Sequence, residues 1–210
     1  MLTIWGRATS VNVQAVMWTV GELGLAHRRI DAGGQYGGLD APDFLAMNPN
    51  GLVPVLEDGA LTLWESAAIV RYLAAVHGDA RFWPTDPAER ARLDMWAEWA
   101  RASFYPAFIG GLFALIVRTP GRTPQAVAGA EAQVARLAAI ADRHLADRPF
   151  LGGAAPCFAD IMLGSQLYRY FTLDCARADT PHLAAYYARL AERPAYREHV
   201  MVSYESLWVR

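Results

Sequence analysis

Apolar residues recur along this chain with two different periods, and the change of period divides it. Leu2 to Trp5 is a short apolar run ended by Gly6, the pattern of a buried strand. Val13, Val16, Met17 and Val20 then fall at i, i+3, i+4 and i+7, one stripe of a helix that Gly21 and Gly24 close. His27 to Ile30 reads as a second strand, and Gly33-Gly34 and Gly37-Gly38 mark a loop with access to unusual backbone angles. Val53 to Glu57 and Leu61 to Trp64 are two strands joined by Asp58-Gly59, a hairpin signal. Ser66 starts a helix whose expected buried face is Ile69, Tyr72, Leu73 and Val76.

The resulting order is β-α-β followed by β-β-α. A helical connection makes the first strand pair parallel, and a tight turn makes the last pair antiparallel. Gly78 to Pro87 (GDARFWPTDP) breaks the periodicity with two prolines and a glycine. The expected division is therefore a mixed α/β domain over 1–77, a linker over 78–86 and an all-helical domain over 87–210. In the second part Leu93, Trp96, Ala97 and Ala100 make one helical stripe, and Val134, Leu137, Ala138 and Ala141 another. Phe158 to Tyr170 and Pro181 to Leu190 complete the helices. No internal repeat is evident.

Composition narrows the function. With 210 residues, 54% of them hydrophobic, the chain can bury one large core or two small ones. A net charge of −2 and scattered Lys and Arg give no footprint for nucleic acid or an anionic membrane. Met1 to Ser10 lacks the apolar stretch of a signal peptide. The longest apolar run, Phe104 to Val117, contains Pro106, Gly110 and Gly111 and falls short of the roughly 20 residues of a membrane span. Cys157 and Cys175 form no C-x-x-C pair, which suits a reducing cytoplasm. The five histidines show no ligand spacing, so no metal site is expected.

Three short features could carry chemistry, and each has a plain structural explanation. Proline at Val53-Pro54 suits the start of an edge strand; alternatively, a cis bond there would turn the N–H and C=O of Val53 toward a peptide-like ligand. Ser66 after Glu65 suits a helix N-cap. With isoleucine at position 69 in place of a capping-box acid, the free N–H groups could instead receive a carboxylate. Ser10, beside Thr9, again suits a cap. No G-x-S-x-G elbow surrounds it, which disfavours a hydrolase.

Taken together, these features resemble the glutathione S-transferase family, in particular its bacterial serine-type members near the phi and theta classes. The matching segments are TSVNVQAV (Thr9 to Val16), NPNGLVPVLEDG (Asn48 to Gly59), LWESAAIVRYLA (Leu63 to Ala74) and FADIMLG (Phe158 to Gly164). The resemblance implies a thioredoxin-like N-terminal domain, a helical bundle, a cytoplasmic homodimer, and glutathione as co-substrate with no metal. It further implies that Val53, before a cis Pro54, pairs with the cysteinyl backbone of glutathione. Glu65 and Ser66 then hold the γ-glutamyl end. Ser10 faces the sulfur with Asn12 close by, and Asn50 and the loop from Gly34 to Leu39 line the glycyl end. Two departures stand out: Leu52 replaces a glutamine that contacts glutathione in phi-type relatives, and Cys157 replaces the Thr or Ser that caps the FADI helix.

The activity so implied is attack of the glutathione thiolate on a hydrophobic electrophile. Arg7, Trp99, Ser103, Phe104 and Phe108 are candidates for the second-substrate pocket, although aromatic residues at helical spacing are usually core. Glutathione-dependent reduction of peroxides or disulfides, and a non-catalytic glutathione-binding scaffold, are the competing readings.

Overall fold

The computed structural model describes residues 1–209. Four strands, β1 (Leu2–Trp5), β2 (His27–Ile30), β3 (Val55–Asp58) and β4 (Leu61–Trp64), form one mixed sheet in the order β2-β1-β3-β4. Because α1 (Val11–Glu22) carries the chain back between them, β1 and β2 run parallel, with Leu2 opposite His27 and Trp5 opposite Ile30. β3 lies antiparallel to both β1 and β4. Its ladder begins at Val55 opposite Trp5, two residues later than the apolar pattern suggests, because Pro54 has no N–H to give. The Val53-Pro54 bond is cis.

All four members of the expected α1 stripe are buried. On α3 (Ser66–His77) the inner face is centred on Ile69, Val70, Leu73 and Ala74, so Tyr72 sits at its edge and Val76, in the last turn, is 55% exposed. A short helix, α2 (Pro42–Met47), was not legible in the sequence. It buries only Phe44, against Ala32 and Val55, and one apolar position makes no period.

The rest of the chain is helical. α4 (Pro87–Trp99) runs without a break through wide π-type turns at Ala100–Phe104 and Pro106–Phe113 into α5 (Ala114–Arg118). Pro106 cannot donate to the preceding turn, and widening of this kind accommodates such an interruption. By length and composition this 32-residue helix could cross a membrane, yet half of its most apolar window is buried within the fold. α6 (Pro124–His144), α7 (Phe158–Thr172), α8 (Pro181–Ala191) and α9 (Pro194–His199) complete the bundle.

At the start of the buried helix α7, Asp160 accepts hydrogen bonds from the N–H of Cys157 at 2.8 Å, the N–H of Leu151 at 2.9 Å and the Tyr186 hydroxyl at 2.8 Å. The Cys157 sulfhydryl adds a fourth, longer contact at 3.3 Å, so cysteine does serve in the capping arrangement. Sheet and bundle share α1. A Cβ at Gly164 of α7 would lie 2.7 Å from the Trp18 ring and 2.7 Å from Leu190, and only glycine lets the two helices approach this closely. Trp18 is fully buried there, edge-on to Tyr196 at 4.8 Å.

Candidate active site

The loop between β1 and α1 is pinned from several sides. Gly6, at φ +147°, is required because a Cβ would meet Val13 at 2.4 Å and Val53 at 3.0 Å. Gln14 Nε2 donates to the carbonyl of Ala8 at 2.9 Å, and Arg169 Nη2, from α7, donates to the carbonyl of Thr9 at 2.6 Å. Ser10 then occupies the N-cap position of α1 in an extended conformation. Its side chain makes no capping hydrogen bond, and the first turn of α1 contains no acid. A hydroxyl therefore stands unused at the positive end of a helix.

Facing it is the loop before β3. Buried Asn48 organises this loop: its Oδ1 accepts from the N–H and Nδ2 of Asn50, and its Nδ2 donates to the carbonyl of Leu52 at 2.7 Å. Neither the N–H nor the C=O of Val53 has a hydrogen-bond partner among the described residues. Ser10, Asn12, Leu52 and Val53 share one cavity of about 280 Å³, which Arg7, Tyr105 and Ile109 also line. Asn50 is exposed and does not line it.

The third corner is the start of α3. Ser66 is the first helical residue and Glu65 the cap, its C=O accepting from the N–H of Ile69 at 3.0 Å. Glu65 is the one non-glycine residue with positive φ among those described, at φ 70°. Such a conformation costs about 1–3 kcal/mol and persists where the surrounding structure imposes it. The first turn of α3 has no acid. The Ser66 hydroxyl, almost wholly buried, donates to Asn12 Oδ1 at 3.3 Å. Ser66 and Asn12 line a second cavity of about 340 Å³ with Arg101, which pairs with Glu65 at 3.3 Å. The two cavities meet along Val11, Asn12 and Tyr105, forming one cleft between the sheet layer and the bundle.

The bundle side of this cleft differs from the expectation for the second-substrate pocket. Phe104 and Phe108 are fully buried, with their rings 5.8 and 5.5 Å from that of Tyr170. Trp99 packs on Trp96 and Phe104 and lines neither cavity. Ser103 opens into a separate groove against Gln133, Arg136 and Leu137 of α6. Aromatic bulk is used for the core, as its cost in water dictates. Arg7 alone of the expected set lines the cleft. The wall is built instead by Tyr105, Ile109, Arg118 and Arg169, with Arg101 beside Glu65. Arginines on helices ordinarily read as solvated, so nothing in their spacing singled these out.

The chain is similar to known proteins over almost its whole length. The family model for the glutathione S-transferase N-terminal domain matches residues 1–75, and that for the C-terminal domain matches residues 124–189. Glutathione S-transferase GstB of Escherichia coli strain K12 is 40% identical over 205 residues, covering 96% of this chain and 99% of that protein. Glutathione S-transferase 3 of Zea mays is 32% identical, covering 95% of this chain and 93% of that one. Among solved structures, the theta class glutathione S-transferase of Xanthomonas axonopodis pv. citri with glutathione bound superposes with a TM-score of 0.90. It shares 47% identity over 96% of this chain and 98% of that one.

Proposed function

The chain belongs to the glutathione S-transferase family, and from that premise we propose that its catalytic group is the Ser10 hydroxyl, donating to the sulfur of bound glutathione and holding it as thiolate. The protein is a glutathione transferase. The observation that carries the assignment is the free Ser10 side chain at the start of α1, in one cavity with the unpaired backbone groups of Val53.

In this reading the N–H and C=O of Val53 pair with the cysteinyl residue of glutathione. Ser66, Glu65 and the unpaired N–H groups of the first turn of α3 receive the γ-glutamyl end. Asn12, held by Ser66, approaches the sulfur from the other side of Ser10. Leu52 covers the tripeptide with apolar surface where a glutamine would offer a hydrogen bond. Asn50 and the Gly34 to Leu39 loop border the glycyl end.

The energetics suffice without a base. A thiol with a pKa of about 8.5 is mostly protonated at neutral pH, and lowering it by ~2 units requires about 2.7 kcal/mol of preference for the anion. A hydroxyl donating to a charged acceptor supplies about 1.5–3 kcal/mol. The N-terminus of α1 adds about 0.3–1 kcal/mol. Serine's own pKa is far too high for it to accept the proton, which passes to solvent. The thiolate then attacks the electrophile bound against Tyr105 and Ile109.

The test is Ser10→Ala. The expected result is a higher pKa for the bound thiol, read by the ultraviolet absorbance of thiolate, with glutathione affinity nearly kept. An unchanged titration would reject Ser10 and turn attention to Thr9 or Asn12. We also propose a division into domains 1–77 and 87–210 and a cytoplasmic homodimer. The dimer is supported by exposed Leu61, Trp64, Val76 and Met95 on β4, α3 and α4, and sedimentation velocity checks it.

A further inference from the structure

Three guanidinium groups converge on the cavity that holds Ser10. Arg7 comes from the loop after β1, Arg118 from the end of α5 and Arg169 from α7. Among the described residues no carboxylate pairs with any of them. Arg118 and Arg169 both lie over the ring of Phe113, at 5.7 and 4.9 Å. Arg7 lies across Gly33 and Gly34, where a Cβ would come within 3.2 and 2.9 Å of its side chain.

The arrangement is costly as it stands. Arg169 is buried, and beyond the Thr9 carbonyl its Nε finds no hydrogen-bond partner. Burial, reinforced by repulsion from Arg118, pushes its pKa down to about 10. Burial and then Arg118 lower that of Arg7 as well. Like charges gathered in a half-buried cleft with unused donors are the complement of an anion. The tripeptide does not account for the whole set. In the orientation proposed above its γ-glutamyl carboxylate lies at α3 and its glycyl carboxylate at the Gly34 to Leu39 loop. Arg118 and Arg169 project from the bundle, on the side where the electrophile binds.

We propose that the second-substrate pocket selects an electrophile bearing an anionic group, such as a carboxylate, on an apolar body, with Arg118 and Arg169 as its anchor and Arg7 closing the mouth. This inference rests on the glutathione-transferase reading of the site. The apolar body lies on Tyr105 and Ile109 while the guanidinium groups grip the anion and set the reactive carbon before the sulfur. The anion takes no part in bond-making. With 4-(bromomethyl)benzoate as probe, the thiolate forms a C–S bond at the benzylic carbon, the C–Br bond breaks, and bromide leaves with the electron pair.

The test uses matched pairs that differ only in charge. Calorimetry compares preformed S-(4-carboxybenzyl)glutathione with S-(4-carbamoylbenzyl)glutathione, and kinetics compare the two parent bromides. Charge-assisted bonds to two guanidinium groups predict that the carboxylate conjugate binds about tenfold or more tighter. Arg118→Gln, at an exposed position, is expected to reduce that ratio to about threefold or less, and Arg118→Lys to restore part of it. Equal affinity for the two conjugates in the unaltered protein overturns the proposal. So does a loss in Arg118→Gln that is the same for both conjugates and for glutathione itself, since the guanidinium groups would then serve the tripeptide. Failure to turn over either bromide, with the carboxylate conjugate still preferred, defeats the transferase reading and leaves the anion site standing.

Discussion

The Ser66 hydroxyl donates to Asn12 Oδ1 at 3.3 Å, joining the first turns of α3 and α1 across 54 residues of sequence. The bond occupies the Asn12 acceptor and leaves its Nδ2 donors for the cleft, where Asn12 borders both cavities. One residue thus touches the two corners at which the sulfur and the γ-glutamyl end of glutathione are proposed to sit.

Ser66→Ala removes this link and, with it, the one hydroxyl proton that can turn from Asn12 to the γ-glutamyl carboxylate when glutathione binds. The Michaelis constant for glutathione is expected to rise about tenfold while kcat changes little, the loss of one hydrogen bond to a charged group. Ser10→Ala should show the opposite division, a lower kcat at nearly constant Michaelis constant. Steady-state kinetics on both variants decide, and the same division in the two would contradict the separate roles.

Glu65→Gly relaxes the φ of 70° at the cap of α3. Relief of the conformational cost outweighs the extra freedom that glycine brings to the unfolded chain, for a net gain of about 1 kcal/mol in stability. Glutathione affinity should fall at the same time, because the carboxylate and its contact with Arg101 are gone. Urea titration and equilibrium binding, made on the same preparation, test the trade; a variant that is less stable would remove strain from the account of this residue.

Asp160→Ala strips the acceptor from the buried donors of Cys157, Leu151 and Tyr186. Leaving such donors unpaired is expected to cost about 3–5 kcal/mol. Denaturant midpoints measure it. A loss below about 1 kcal/mol would mean that this cluster contributes little.

The two thiols should react unequally. Cys157 is buried beside Asp160, and burial raises its pKa strongly. Cys175 is half-buried and raised less, again chiefly by burial. A chromogenic disulfide reagent should titrate only Cys175 in the native protein, slowly, and both thiols in denaturant. Turnover should survive the native modification. Inactivation would implicate an enzyme thiol in the chemistry.

How much the sequence disclosed depended on how local the cause was. The first strand and α1 were legible because a short apolar run and a helical apolar stripe are themselves the signals of burial. Val53 and Ser66 stood out because each sits at a junction of elements, where a side chain is chosen for backbone reasons that a motif records; Asn12 entered only through the family resemblance. Tyr105, Arg118 and Arg169 were not. Their meaning lies in which way a helix faces after the wide turns around Pro106, and the spacing of aromatic residues pointed to Phe104 and Phe108, which the core absorbs.

The bond from Arg169 to the carbonyl of Thr9 ties a residue late in the chain to the backbone just ahead of Ser10. Chimeras that exchange the helical half with that of a relative would therefore disturb the nucleophile's surroundings even with the first 77 residues left untouched. On the roles proposed above, transplanting the sheet half alone should transfer contacts to the tripeptide but not the setting of its sulfur. In evolutionary terms, the two halves are obliged to change together here.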